Sequence, residues 1–553
     1  MINNNKMLYI LSFVVLFAIS CEEDAGVDCE AAKTTFTNAV NAAGEDGPSD
    51  EAECQVVVDA ADEFLATGCD TSGTDVGMIS AMDCGCVPLT NAFNEAADVF
   101  NAGFVSDTGT IEDCQAYVDA MVDLVDAGCI TIDQLGLDQE SYDEYSSGNF
   151  CEEYYGVTTI TTPEDYTFDS RFNDGESSVS YSGQVVRNLL INDIKALIAD
   201  NVGGGNTATI TSMMANDDPT LTISTSTDIG NLQTFYHDIS TSQLNDRLGA
   251  VTSYTDPGYE ANAQDMIAGW VAESEVYSVR PGGLDLGQMA QKVMWGAIAY
   301  WQGTSKYMSK IPNDDNTVSD DGDPYTAMEH HWDESFGYFG AARDYNTGYT
   351  DDSDRKSDPY FDSNGDGSID FKSEYNMGWS VTAAKRDVVD ASTDYDFTGT
   401  IMNAYLEGRT LIYNQAPLDE ILVQRNIILN NWEKVVAAVS IHYINDTMSD
   451  LAALIAAADA SLAWDNLPAE GDGYKYNIHW AEMRAYAHGL IYNDFKLISD
   501  ADIATALGYM GNAPAYNDGA DFSAMQTLFD NLAMAKDVLQ AAYDFDADHM
   551  NNW

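Results

Sequence analysis

Two stretches of this 553-residue chain combine side chains able to hold metal ions. His331-Trp332-Asp333-Glu334 runs on to Tyr338, and His479-Trp480-Ala481-Glu482 runs on to Tyr486. Both read H-W-x-E-x-x-x-Y. With only seven His and nine Trp available, a second copy of this string marks an internal duplication. Residues three apart share one helix face, so each His can reach an ion together with its Glu. Imidazole with carboxylate suits iron or zinc better than calcium. Two such pairs on related helices would complete a four-ligand site from His331, Glu334, His479 and Glu482, in reverse order to the E-x-x-H pairs of di-iron bundles. His330 and Asp333 could add ligands to the first pair, and His442 falls on a separate predicted helix. The competing expectation is packing alone, with Trp and Tyr as core anchors and His as a locally satisfied polar residue.

A second metal signal runs from Asp362 through Ser363, Asn364, Gly365, Asp366, Gly367, Ser368 and Ile369 to Asp370. It reads as the first nine residues of an EF-hand-type calcium loop: oxygen donors alternate, Gly367 takes the sharp turn and Ile369 points inward. Asp362, Asn364 and Asp366 would bind through side chains, Ser368 through its carbonyl, and Asp370 directly or through water. Ser373 stands at the twelfth position, where a bidentate Glu usually closes the shell, and Glu374 follows one residue late. A calcium ion here would be structural, ordering a long loop with little core of its own.

Positioning these residues calls for long helices. Val185, Leu189, Leu190, Ile194, Leu197 and Ile198 fall on one helical face. Helical pattern continues near 230–250, 259–274, 285–310 and 325–345, breaks over 345–393, and returns at 398–413, 417–430, 431–462, 475–495 and 523–544. The expected fold class is all-α: a duplicated, pseudo-twofold helical bundle over 160–553, preceded by a small disulfide-rich helical domain. Its related halves lie at about 180–345 and 395–550, joined by the linker that carries the calcium loop. Upstream of the motifs, Lys292-Val293 with Ala297 and Tyr300 aligns with Lys434-Val435, Val439 and His442.

The first twenty residues read as a lipoprotein signal peptide. Lys6 precedes an apolar run from Met7 to Ile19, too short for a comfortable membrane span. Ala18-Ile19-Ser20 leads to Cys21, the expected lipidation site. Residues 21–155 form the expected Cys-rich domain, with Cys29, Cys54, Cys69, Cys84, Cys86, Cys114, Cys129 and Cys151. An even number in an exported chain reads as disulfides. Cys54-Gln55 with Asp59 and Cys69 repeats as Cys114-Gln115 with Asp119 and Cys129, which implies two helical hairpins. Antiparallel helices then suggest Cys29–Cys69, Cys86–Cys129, Cys54–Cys84 and Cys114–Cys151. The 91 acidic against 23 basic residues give a net charge of −68, which makes nucleic acid a poor partner and cations good ones.

The main domain resembles imelysin-like proteins, in particular a family of exported bacterial lipoproteins. The resemblance rests on Tyr181-Ser182-Gly183-Gln184 with Arg187, on the run from Thr326 to Gly340, and on His479-Trp480-Ala481-Glu482. His331 and Glu334 match the H-x-x-E part of the family's G-x-H-x-x-E motif, with Glu329 where the family has Gly. The resemblance implies a duplicated helical bundle exported to the cell envelope and tied to iron acquisition. The leading expectation is a lipoprotein of the bacterial outer membrane that binds a metal ion or metal chelate, iron foremost, beside an outer-membrane transporter. Its only membrane contact would be the lipid anchor. The alternatives are a metal-dependent peptidase and a structural lipoprotein with no transition-metal site.

Overall fold

The computed structural model describes residues 29–43, 51–66, 84–106, 110–135, 137–147, 150–151, 159–349, 356–357, 359–387, 395–467 and 472–553. The chain divides into two compact units, 1–159 and 160–553. Cys21 and the signal segment lie outside the described residues, as does Cys69.

In the first unit, α1 (Cys29–Ala42) pairs with α2 (Glu51–Ala66), and α3 (Val87–Ser106) pairs with α4 (Ile111–Asp126). Disulfides join Cys54 to Cys84, Cys86 to Cys129 and Cys114 to Cys151, three of the four pairings expected. The Cys29–Cys69 pairing involves a residue outside the description. The duplication is visible in detail: Gln55 donates to Asp59 and Gln115 to Asp119, each at 2.8 Å. So few buried apolar groups would support a helical hairpin weakly, and the crosslinks offset this by restricting the unfolded chain.

The second unit is helical around a continuous core. In its first half, α5 (Ser182–Ala199) leads through shorter helices to α6 (Leu286–Met294), which follows a two-stranded hairpin of Val279–Arg280 and Leu284–Asp285. The α6 helix continues as two π-wound turns, Trp295–Tyr300 and Gln302–Tyr307. Then comes α7 (Ala327–Phe339), which carries the first H-W-x-E copy. Thr326 and Glu329 cap its first turn reciprocally, and Gly340 ends it with a left-handed φ of 82°.

In the second half, α8 (Phe397–Tyr413) precedes α9 (Leu418–Ala457), a single 40-residue helix where the sequence pattern suggested two. No Gly or Pro interrupts α9, and Ala458 closes it at a left-handed φ of 50°. The second H-W-x-E copy lies on α10 (Asp472–Gly489), which packs along α9 and against α6. Two glycines let the halves meet closely: a Cβ on Gly296 would stand 2.8 Å from Gly489 Cα, and one on Gly303 would meet the Trp432 ring at 2.5 Å.

Candidate functional site

Helical spacing places His, Glu and Tyr of each motif on one face and Trp on the other. Trp332 and Trp480 are fully buried in the core. In the packing expectation Trp was an anchor, and the structure gives it that position. Each His–Glu–Tyr face meets an earlier segment of its own half, and the two meetings match in a Tyr and an Asp.

In copy one, His331 Nδ1 lies 2.7 Å from Asp314, Tyr307 packs near the His331 ring, and Tyr307 stacks on Tyr338 at 6.1 Å. In copy two, His479 Nδ1 lies 2.9 Å from Asp450, Tyr443 packs near the His479 ring, and Tyr443 stacks on Tyr486 at 5.7 Å. Burial raises both Tyr307 and Tyr443 above the usual phenol range, with the stacked Tyr and then Glu334 or Glu482 adding to it. The facing segments thus supply Tyr307, at the end of the π-wound helix, with Lys310 and Asp314 in the turns that follow it in one copy, and Tyr443, Asp446 and Asp450 on α9 in the other. That spacing of i, i+3 and i+7 was the sequence signal missed. The alignment of Lys292 with Lys434 is corrected: Lys292 serves copy two, pairing with Glu482 at 3.2 Å, while Lys434 approaches the Tyr395 ring.

The four residues His331, Glu334, His479 and Glu482 are not brought into one site. Glu334 accepts from Gln184 at 2.7 Å and faces His330 at 3.9 Å, whereas Glu482 pairs with Lys292. Among the described residues, no three His, Cys, Asp or Glu side chains stand converged to hold a metal ion. The copies differ at the free nitrogen of the imidazole. In copy one the Lys310 ammonium donates to His331 Nε2 at 2.7 Å, occupying the lone pair an ion would need. In copy two Asp446 stands at the equivalent place, 3.8 Å from His479 Nε2 and 3.5 Å from His442 Nε2. Burial, reinforced by Arg386, pushes His442 down to about 3 and leaves its ring neutral. Burial also opposes charge on His479, but the Asp450 hydrogen bond and charge outweigh it and raise that pKa.

Asp333, a candidate added ligand, is instead fully buried and bonded to Arg409 at 3.0 Å and to the Tyr166 hydroxyl at 2.7 Å. Glu329 pairs with the same Arg409 at 3.0 Å and with Arg171 at 3.3 Å. Burial opposes charge on Arg409, but the two carboxylates outweigh it and raise its pKa. These charges anchor α7 and are closed to an ion.

The calcium-type loop folds as a turn whose carboxylates accept from its own backbone. Asp362 accepts from the backbone of Gly365, Asp366 and Gly367, and Asp366 from that of Ser368. Asn364 accepts from the Asp366 backbone, while Asp370 receives Gln233 at 2.8 Å. Glu374, one residue late in the sequence, reaches back: its carboxylate accepts from Asn364 and Asp370 backbone and from the Ser363 hydroxyl. Ile369 is fully buried and bridges in parallel to the Gly230–Leu232 segment.

Fold and paired sites together define a duplicated helical domain with two related polar clusters, one carrying a lysine where the other carries an aspartate. The chain belongs to the family described as Domain of unknown function (DUF4856), matched over residues 163–494, a range that includes both H-W-x-E copies. No curated protein and no solved structure matches it.

Proposed function

We propose that this chain is a lipid-anchored envelope protein of a metal-uptake system, and that copy two is its metal-binding half. The observation that carries the reading is the set His442, Asp446 and His479, with Asp450 behind His479. Tetrahedral ligands at about 2.1 Å from an ion stand roughly 3.4 Å apart. The separations of 3.5 and 3.8 Å therefore need only side-chain rotation, and Asp446 and His442 are both partly exposed. Two imidazoles and a carboxylate suit iron or zinc. Asp450 would hold the outer nitrogen of His479, as carboxylates do behind metal-bound imidazoles.

Signal-like residues up to Cys21, the acidic surface and the imelysin-like resemblance support placement at the bacterial outer membrane. The transporter partner belongs to the same proposal, as does a structural calcium ion held by Asp362, Asn364, Asp366, Ser368, Asp370 and Glu374. A binder fits better than a peptidase, because Glu482, the carboxylate that could serve as general base, is neutralised by Lys292.

Elemental analysis tests the reading. Wild-type protein purified without chelator should retain about one iron or zinc ion per chain, in addition to calcium. Asp446→Lys, which gives copy two the residue of copy one, should lose that ion, and Glu334→Gln should keep it. Unchanged metal in Asp446→Lys would reject the site, and loss in Glu334→Gln would return the ligand role to copy one.

A further inference from the structure

A cavity of about 270 Å³ opens at the start of α5, away from both H-W-x-E clusters. Its polar lining is Ser180, Ser182, Arg343, Asp370, Lys372 and Ser373. The walls are tied by backbone, because the Arg343 N–H donates to the Ser373 carbonyl at 2.8 Å. Tyr181 holds the arginine in place: Nε donates to its hydroxyl at 3.1 Å, and the guanidinium lies 5.3 Å from the centre of its ring. That leaves Nη1 and Nη2 with accessible surface and no partner among the described residues. The half-buried Lys372 ammonium and the Ser182 and Ser373 hydroxyls are likewise unpaired among the described residues. The α5 helix also starts uncapped. Tyr181 makes no side-chain cap bond, no acidic residue lies in the first turn, and the Ser182 N–H has no acceptor among the described residues.

We propose that this cavity binds phosphate, either the free anion or the phosphoryl end of a small ester. Two cations face one carboxylate across it, and the carboxylates that act on Arg343 are engaged elsewhere. Asp370 accepts from Gln233 at 2.8 Å and from the Lys372 N–H at 2.9 Å, and Asp333 is bonded to Arg409 and Tyr166. A guanidinium gives two parallel N–H donors, and an uncapped helix start adds an amide and a favourable dipole. Donors of four kinds on separate walls suit a tetrahedral group with several oxygens better than a carboxylate with two. The volume falls just under the roughly 300 Å³ at which pockets begin to enclose larger ligands, so the guest is small. The site goes beyond the metal reading and does not require it.

The test uses the full-length protein in calorimetric titrations with inorganic phosphate, glycerol phosphate and acetate at constant ionic strength. A net charge of −68 repels anions in general, so saturable binding reports a built site. Phosphate, glycerol phosphate or both should saturate at one per chain. Phosphate alone assigns the free anion, the ester alone an esterified ligand, and both the shared phosphoryl group. Arg343→Met should weaken binding roughly tenfold or more, since charge-assisted hydrogen bonds are lost. Lys372→Glu, at a side chain with no partner to lose, should abolish saturation and keeps the test valid if Arg343→Met does not fold. Asp446→Lys, which alters the proposed metal site, should bind as wild type does, so failure of the metal reading leaves this result standing. No saturation by either phosphate compound, acetate binding as tightly as phosphate, undiminished binding by the Arg343 or Lys372 variant, or loss of binding in Asp446→Lys would overturn the proposal.

Discussion

The two H-W-x-E copies share a frame and differ in charge. Each has a buried Trp, a Tyr pair, and an imidazole whose Nδ1 faces an aspartate. In copy one the helix that faces the motif carries two π-wound turns and ends at Tyr307, and the turn after it brings Lys310 to the imidazole. In copy two it is a continuous α-helix that delivers His442 and Asp446. One frame therefore sets a histidine between a lysine and an aspartate on one side, and two histidines beside an aspartate on the other. The lesson is that the duplicated string specifies the scaffold, while the partner across the groove decides the chemistry.

The largest effect should come from how each motif helix is anchored. Arg409 balances two buried carboxylates in copy one, whereas Arg484 in copy two shares the single Asp256 with His488. Arg409→Met leaves buried Asp333 without a cation and Glu329 with Arg171 alone, and should cost about 3–5 kcal/mol in urea denaturation. Arg484→Met should cost less, because it strands one carboxylate rather than two and His488 Nδ1 stays 2.7 Å from it. Equal costs would mean the copies are not anchored differently.

The loop between the halves comes next. It is tied to the first half through Ile369 and Gln233. If calcium fills it, chelator should lower the melting temperature, with roughly 2.7 kcal/mol lost where free ion had stood about a hundredfold above its dissociation constant. Asp362→Ala with Asp366→Ala should abolish the response. A wild type indifferent to chelator would leave the loop as a turn held by its own hydrogen bonds.

Much of this was legible beforehand, for physical reasons. Helical periodicity marked the long helices, and the calcium-type loop stood out because its donors are contiguous. The facing triplets did not, because Tyr443, Asp446 and Asp450 become neighbours of His479 only when two helices pack. The register of Lys292 against Lys434 misled because apolar stripes repeat every three or four residues and align in several ways. The π winding compounds this, since residues beyond Trp295 no longer advance by 3.6 per turn. The break expected at 430 was absent because helix propensity is continuous there, from Leu418 to Ala457.

A smaller effect sharpens the contrast directly. Asp450→Asn keeps the hydrogen bond to His479 but removes the charge behind it. Metal affinity at copy two should fall 10–100-fold, the usual range for an outer partner of a metal-bound imidazole. Asp314→Asn, its counterpart in copy one, should change nothing in a metal titration. A loss in the Asp314 variant would place the ion beside Lys310, contrary to the geometry.

The smallest expected effect is in the pH dependence of the metal-free protein. His442 is held neutral by burial and by Arg386, with a folded pKa near 3 against an ordinary 6.5. A depressed histidine contributes full stability above its unfolded pKa, and that contribution drains away as pH falls toward the folded value. His479 is raised, so its contribution is present below about 6.5 and fades as pH climbs through its folded pKa. The two neighbours therefore act in opposite directions on either side of neutrality. His442→Gln keeps a polar side chain of similar reach without a titrating ring. The stability difference between wild type and this variant should shift in the variant's favour by at most ~1.4 kcal/mol per pH unit below 6.5. It should stay flat from pH 7 to 8. Comparing the two proteins cancels the many carboxylates that dominate acid unfolding, so a difference independent of pH would mean that His442 is solvated and able to charge freely.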